Sequence, residues 1–183
     1  MHSCLIVIDL QNDYFPGGTM ELVGIEAAAA NARLLLDRYR ETGSTVIHVQ
    51  HLAVRPGATF FLPATSGAEI NELVGPQANE IVVVKNYPNS FRDTPLLEIF
   101  KQEKVDHLVI CGAMSHMCID ATVRAAFDFG FTCLVAEDAC ATRDLAFRGR
   151  TIKAADVHAS FMAALAVPYA KVIATMEIME SRG

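Results

Sequence analysis

The order of the predicted elements favours an α/β protein, with a parallel sheet covered by helices on both faces. Continuous apolar runs of strand length recur along the chain, as is typical of parallel strands that are buried on both faces. Helical patterns, with apolar residues three or four positions apart, separate most of these runs. Strands that alternate with helices form a parallel sheet, because each crossover returns the chain to the same edge.

The first half of the chain contains three predicted strands and one long helix. The first strand, residues 4–9, is followed by a loop of polar, aromatic and turn residues. Residues 24–40 have helical spacing, and Gly43 ends that helix. The β-branched content of residues 45–51 predicts the second strand. Residues 52–80 are irregular and rich in turn signals, and the third strand follows at 81–85.

The second half continues the alternation. Pro95 predicts the first turn of a helix, because proline is favoured there. Gly130 marks the end of a later helix. The predicted elements are a helix from about 93 to 104, a strand at 107–112, a helix at 116–129, a strand at 131–136, a polar turn at 137–144, a helix from about 148 to 165 and a last strand at 169–175.

The composition is that of a folded domain. Hydrophobic residues make up 52 % of the 183 residues and charged residues 20 %, which argues against disorder. The net charge of −6 argues against a surface that binds nucleic acid. No apolar run reaches the roughly 18 to 20 residues that span a bilayer, and the first residues lack the features of a signal peptide. We expect one domain, residues 1–183, in the cytoplasm, with neither nucleic acid nor membrane as a partner.

Three reactive side chains follow the ends of three predicted strands. Asp9 and Lys85 each end an apolar run, and Cys118 begins the helix after strand 107–112. Ligands of open parallel sheets bind beyond these strand ends, and the charges would be costly to bury unpaired. A helix N-terminus lowers the pKa of a thiol and offers N–H groups to an oxyanion. The sequence therefore predicts one crevice with a carboxylate, an ammonium and a thiol.

These groups suit nucleophilic catalysis. The Cys118 thiolate would attack an electrophilic carbon, and Asp9 would take the thiol proton and pass it to the leaving group. Lys85 would keep Asp9 ionised and favour the thiolate. Two other interpretations remain open at this point. Cys118 could be an inert core cysteine, and Asp9 with Lys85 could be a structural ion pair.

The sequence resembles the isochorismatase-like cysteine hydrolase superfamily, which includes nicotinamidases, N-carbamoylsarcosine amidohydrolases and isochorismatases. The resemblance extends from residue 5 to residue 144 and implies a three-layer α/β/α fold with a six-stranded parallel sheet in the order 3-2-1-4-5-6. The matching residues are Ile8 to Phe15, Lys85 with Asn89-Ser90-Phe91, Gly112 to Cys118 with Thr122, Arg124 and Ala125, and Asp138-Ala139-Cys140.

The resemblance also implies how the site works. Asp9, Lys85 and Cys118 would form a catalytic triad, and a cis peptide between Ala113 and Met114 would aim the N–H of Met114, with that of Cys118, into an oxyanion hole. The implied reaction is hydrolysis of a C–N bond in a small amide, carbamoyl or ureide substrate through a thioester-type intermediate. An isochorismatase-type hydrolase and a non-catalytic binding protein are the alternatives. Because family members often form dimers or tetramers, we expect a homodimer or homotetramer.

One departure from the family concerns metal. Nicotinamidases carry an Asp-x-His metal motif after the second strand, where this chain has His51 in place of the Asp and Ala53 in place of the His. His48 and His51 are three residues apart, which places them on opposite faces of a strand. We therefore expect no metal and no other cofactor, and we do not expect a nicotinamidase.

Other residues near these motifs are candidates for contact with substrate. Phe60 and Phe61 could either form a pocket wall or pin their loop to the core. His116 could be an alternative base for Cys118, but neighbouring positions on a helix diverge and Asp9 already fills that role. The full set of candidate substrate-binding residues is Gln11, Tyr14, Phe60, Phe61 and Phe91.

Overall fold

A six-stranded parallel sheet forms the middle layer of the protein, which the computed structural model describes for residues 2–181. Its spatial order is β3-β2-β1-β4-β5-β8, and a separate antiparallel hairpin contains β6 and β7. The predicted class and strand order are confirmed, with β8 as the sixth strand of the sheet. The strands are β1 (Ser3–Ile8), β2 (Thr45–His51), β3 (Ile81–Lys85), β4 (His107–Ala113), β5 (Thr132–Ala141), β6 (Leu145–Phe147), β7 (Arg150–Ile152) and β8 (Lys171–Ile173).

Helices cover both faces of the sheet. On one face α1 and α5 contribute Leu35 and Ile178 to the core, and on the other α2, α3 and α4 contribute Phe100, Val123 and Met162. Within residues 2–181, none of the helices has the length and apolar character that crossing a membrane requires. The helices are α1 (Ile25–Glu41), α2 (Leu96–Gln102), α3 (Asp120–Asp128), α4 (Ala154–Leu165) and α5 (Thr175–Glu180).

The position of β1 in the middle of the sheet explains why its sequence is apolar throughout. Leu5 and Val7 face the core beneath α1, whereas Ile6 and Ile8 face the core beneath α2 and α3. Each of these side chains is at most 2 % exposed. Successive residues of a strand point to opposite faces, so a strand with helices on both sides needs apolar residues at every position.

The chain differs from the prediction after residue 136, where a polar turn was expected. Strand β5 continues to Ala141, and Cys140 pairs with Gly112 after a shift of register against β4. The polar residues in this stretch serve the structure locally. Oδ1 of Asp138 accepts hydrogen bonds from the N–H and the hydroxyl of Thr175, each 2.7 Å long, at the start of α5.

The last predicted helix also starts later than expected. Residues 145–152 form the β6–β7 hairpin, and α4 begins at Ala154 rather than near residue 148. Arg148 and Gly149 occupy the turn with φ angles of 49° and 77°, which no right-handed helix contains. The predicted strand at 169–175 is shortened to β8, and the short helix α5 was not predicted.

Candidate active site

The three reactive side chains meet at the carboxyl edge of the sheet. Asp9 directly follows β1, Lys85 is the last residue of β3, and Cys118 lies in a π-helical turn, Ser115–Ile119, between β4 and α3. Nζ of Lys85 is 2.7 Å from Oδ2 of Asp9. Sγ of Cys118 lies within 4.8 Å of the Asp9 carboxylate. All three residues are buried, with Cys118 the most exposed at 4 %.

Two backbone conformations let the ends of β1 and β4 approach. Asp9 has a φ of 54°, which is uncommon for a residue other than glycine, and its N–H donates to the Val49 carbonyl at 3.0 Å. Gly112 has a φ of 130°, and a Cβ at this position would collide with the carbonyl oxygen of Ile8. The strand ends that carry the site therefore require a glycine at position 112.

The turn before the cysteine is held by several hydrogen bonds. The peptide bond between Ala113 and Met114 is cis, as the resemblance implies. The carbonyl of Met114 accepts from the N–H of Met117 at 3.0 Å and from that of Ile119 at 3.2 Å. The hydroxyl of Ser115 donates to the Ala141 carbonyl at 3.3 Å. Cys118 thus lies in a π-helical turn, whereas the sequence predicted the first turn of an α-helix.

Lys85 is held as a fixed cation. Its Nζ donates to the carbonyls of Tyr87 at 3.1 Å and Pro88 at 3.3 Å, in addition to its ion pair with Asp9. Burial lowers the pKa of Lys85, but the Asp9 carboxylate outweighs this effect, so the pKa lies above its ordinary value. Oδ1 of Asp9 is buried and has no hydrogen-bond partner among residues 2–181, which leaves it able to accept a proton.

The thiol differs from the sequence prediction, which expected a lowered pKa. Burial raises the pKa of Cys118, and the Asp9 carboxylate raises it further, while Lys85 opposes both. The free site therefore holds a neutral thiol, and the nucleophile forms only when a base removes its proton. Asp9 is the carboxylate within reach.

A fourth side chain, His51, reaches the same place. Donor atoms of Asp9, His51 and Cys118 lie within 4.8 Å of one another, a combination that could hold a metal ion. However, Nζ of Lys85 lies 2.7 Å from Asp9 and 3.3 Å from Nδ1 of His51. The ammonium group of Lys85 is therefore the cation that contacts these ligand atoms of Asp9 and His51.

Tyr14 and the Phe60–Phe61 pair lie beside the triad. The Tyr14 ring packs 4.5 Å from that of Phe61 and 6.0 Å from that of Phe60. Burial raises the pKa of Tyr14, and the nearby Cys118 and Asp9 raise it further. The N–H of Phe61 also donates to Oδ2 of Asp13 at 2.6 Å. The pair therefore pins its loop and also supports the ring beside the thiol.

Two of the candidate substrate-binding residues have other roles. Nε2 of Gln11 donates to the carbonyls of His51 at 2.9 Å and Ala68 at 2.7 Å, and its Oε1 accepts from the His51 N–H at 2.7 Å. Its amide is therefore occupied by backbone. Phe91 packs in an aromatic cluster of the core. The partners of its ring are Phe100, Phe129 and Phe131.

His116 has a partner other than Cys118, and Arg143 is a residue near Tyr14 that the sequence did not indicate. Nδ1 of His116 bonds to the Thr142 hydroxyl at 2.6 Å. Nε of Arg143 is buried and has no hydrogen-bond partner within the described residues. Its charge opposes the rise in the pKa of Tyr14, so the guanidinium lies near that phenol. Arg143 lies in a segment that the sequence predicted as a polar turn, so nothing in the sequence indicated that its side chain would be near Tyr14.

The comparisons with known proteins agree with this geometry. The protein-family model of the isochorismatase domain matches residues 3–175 of this chain. The chain belongs to the isochorismatase family. It is 51 % identical to the family protein YddQ of Bacillus subtilis, over 96 % of this chain and 97 % of that protein. Its structure resembles that of an isochorismatase hydrolase from Oleispira antarctica, with a TM-score of 0.94, 48 % identity, and coverage of 98 % and 96 %.

Two more distant members of this family of hydrolases have named activities. A streptothricin hydrolase of Streptomyces noursei is 36 % identical over 78 % of this chain and 56 % of that protein. The ureidoacrylate amidohydrolase RutB of an Enterobacter strain is 28 % identical over 75 % of this chain and 74 % of that protein. Membership of the family makes this chain a hydrolase, and its bond specificity has to be argued from its own residues.

Proposed function

We propose that this isochorismatase-family protein is a cysteine hydrolase that cleaves the C–N bond of a small amide, carbamoyl or ureide substrate without a metal. The observation that carries the proposal is the buried Lys85–Asp9 ion pair, 2.7 Å long, beside the Cys118 thiol. Two of its relatives are named as an amidohydrolase and as a streptothricin hydrolase, which supports hydrolysis at a C–N bond.

The first half of the proposed reaction forms a covalent intermediate. Asp9 takes the thiol proton as Cys118 attacks the substrate carbonyl carbon. The carbonyl oxygen becomes an oxyanion, and the N–H groups of Met114 and Cys118 stabilise it. Asp9 then gives its proton to the leaving nitrogen, the C–N bond breaks, and ammonia or an amine departs. The acyl or carbamoyl group remains on sulfur as a thioester.

The second half regenerates the thiol. Asp9, again a carboxylate, takes a proton from water, and the resulting hydroxide attacks the thioester carbon. The C–S bond breaks, the proton held by Asp9 returns to sulfur, and the acid product leaves. Lys85 stays charged throughout and compensates the negative charge that passes between Asp9 and sulfur, which is costly to bury without a partner.

The replacement of Cys118 tests the nucleophile. Because C118A removes the attacking sulfur, ammonia release from small amides and ureides should fall by about 1000-fold or more. C133A removes another buried thiol, outside the site, and should keep most of the activity. Turnover that survives C118A contradicts the proposal. Tight binding of a small molecule without turnover in the wild type would favour the binding-protein alternative, and vinyl-ether cleavage would favour the isochorismatase-type one.

Arg143 supports a substrate that carries an anionic group, because a buried guanidinium N–H without a partner is costly. A carboxylate would satisfy it in the fork geometry that arginine favours. R143M should therefore raise KM for an anionic ureide or amide by about 10- to 100-fold. A neutral amide of similar size is the control, and its KM should change little. Equal losses for both substrates would contradict this assignment.

The compartment and assembly remain proposals of the same kind. All five cysteines are free thiols in the structure, which supports a reducing compartment such as the cytoplasm. We also propose that the protein is a homodimer or a homotetramer, as the family suggests, and that its only other partner is a small-molecule substrate. Light scattering on the purified protein measures the subunit number directly.

A further inference from the structure

We infer that His51 is a fourth functional residue of this site: it positions Lys85 for catalysis, and hydrolysis requires its neutral form. The inference rests on the proposed function only for its effect on turnover. The position, tautomer and charge of the imidazole are properties of the resting protein.

The sheet places His51 between the two members of the ion pair. His51 is the last residue of β2, and its register partner on β3 is Lys85. β2 lies between β1 and β3, so Lys85 must cross the end of β2 to reach Asp9. On this path its Nζ passes 3.3 Å from Nδ1 of His51. A ring nitrogen of His51 also lies within 4.8 Å of both the Cys118 sulfur and the Asp9 carboxylate.

The contact with Lys85 fixes the tautomer of His51. An ammonium group carries no acceptor, so a proton on Nδ1 would face another donor, and the contact therefore places the lone pair on Nδ1 and the ring proton on Nε2. Gln11 holds the backbone of His51 through both its N–H and its carbonyl, at 2.7 Å and 2.9 Å. The ring of Phe61 packs 5.9 Å from the imidazole. The acceptor is therefore held in place against Lys85.

Several charged groups face the imidazole, and together they oppose its protonation. Burial lowers the pKa of His51 from its ordinary 6.5, Asp9 beyond β1 raises it, and Lys85 on β3 and Arg55 in the following loop lower it. The net shift is downward, so the imidazole is neutral at pH 7. The Cys118 thiol, in the π-turn, is neutral in the free site. Protonation in acid would place an N–H on Nδ1 facing the ammonium and break the contact that aims Lys85 at Asp9.

Two variants separate positioning from packing. In H51N the side-chain oxygen can accept from Lys85 near the place of Nδ1 but does not titrate, whereas H51L has similar bulk and no acceptor. At pH 7.5 we expect kcat/KM to fall about threefold in H51N and about 30-fold or more in H51L. The acid limb that His51 causes in the wild-type profile should move to lower pH in H51N. An unchanged acid limb, or equal losses in both variants, overturns the inference.

A second measurement does not depend on turnover. Nitrogen-15 NMR of the imidazole rings reports tautomer and titration, and the His51 signal is identified by its loss in H51N. We expect the proton on Nε2 and a titration midpoint below 6.5, the ordinary value. A proton on Nδ1 at neutral pH overturns the inference whatever the activity. The expected NMR result in a protein that hydrolyses no amide would refute the proposed function instead and leave the position of His51 established.

Discussion

At the residue scale, the site depends on one glycine that the sequence shows only as the end of an apolar run. Gly112 faces the carbonyl of Ile8 on the neighbouring strand, and its φ of 130° is one that side chains rarely allow. Both restrictions act at the same residue. A methyl group there would push apart the strand ends that carry Asp9 and the turn with Cys118.

Substitution of Gly112 separates these two effects. G112A should lower the free energy of unfolding by about 3 kcal/mol or more, because a backbone clash adds to the cost of a positive φ. Gly130 also has a positive φ, but nothing lies within 4 Å of a Cβ there. G130A should therefore cost only about 1 kcal/mol, the strain alone. Urea unfolding measures both, and equal losses would show that the Ile8 contact carries no energy.

At the element scale, β5 shows how a polar strand end can stabilise a distant helix. Asp138 caps α5 through two hydrogen bonds to Thr175, and its own carbonyl accepts from the Nδ2 of Asn31 in α1 at 2.9 Å. One residue thus links β5 to both helices on that face of the sheet. The polar character that suggested a turn is explained by these contacts.

The cap can be tested by hydrogen exchange. D138A leaves the N–H of Thr175 without its acceptor, at a cost of about 1 to 2 kcal/mol. The amides of α5 should therefore exchange about 5- to 30-fold faster, while those of α3, on the opposite face, should not change. D138N keeps an acceptor oxygen and should stay close to the wild type. Equal acceleration in α3 and α5 would mean that D138A weakens the whole domain instead.

The sequence predicted the features that depend on local pattern. A charged residue, Asp9 or Lys85, ends the apolar run of β1 and that of β3, so the pattern alone places both residues at one edge of the sheet. Features that depend on distant partners could not be predicted. The amide of Gln11 is occupied by backbone from two other segments. The β6–β7 hairpin requires a positive φ angle at Arg148, and arginine is not a residue type that predicts such an angle.

The same distinction explains the chemistry of the candidate site. A cysteine after a strand and a turn indicated a nucleophile, but the pKa of Cys118 depends on how completely it is buried beside Asp9. Likewise, the spacing of His48 and His51 showed correctly that the two do not face the same way, but not that His51 meets Lys85. That contact exists because β2 lies between β1 and β3.

At the scale of the whole molecule, a second ionic cluster, which is partly buried, fastens the end of residues 52–80 to the sheet. Glu80 accepts two hydrogen bonds from Arg40 of α1, at 2.7 and 2.8 Å. Its carboxylate also lies 2.9 Å from Nε2 of His48, a fully buried residue of β2. The cluster joins a helix, a strand and the end of the long connection that precedes β3.

This cluster predicts lower stability in acid. Burial lowers the pKa of His48 from 6.5, although Glu80 opposes the shift, so the unfolded chain binds a proton below pH 6.5 that the folded protein resists. Burial acts to raise the pKa of Glu80, but Arg40 and its other hydrogen bonds lower it from 4.5 to about 2. Its contribution is thus present above pH 4.5 and is lost as the pH falls toward 2.

Urea midpoints measured from pH 8 to pH 3 check this expectation. The midpoint should decline first below pH 6.5, where His51 and His116 act in the same direction as His48, and again below pH 4.5. E80Q should remove most of the second decline but keep the first, because without the Glu80 carboxylate the effect of burial on the pKa of His48 is no longer offset. A wild-type midpoint that stays constant down to pH 4 would contradict this account of the cluster.

The ion pair of Lys85 has one more consequence for the proposed mechanism, because it bears on a side reaction of the covalent intermediate. In the proposed mechanism a thioester on Cys118 would lie close to the amine of Lys85, and an uncharged amine would take the acyl group and keep it as an inert amide. Burial lowers the pKa of Lys85, but the Asp9 carboxylate raises it above its ordinary value, so the nitrogen stays protonated and has no lone pair to attack with. If the proposed mechanism holds, Asp9 both orients Lys85 and protects it from acylation, which leaves water as the acceptor of the acyl group.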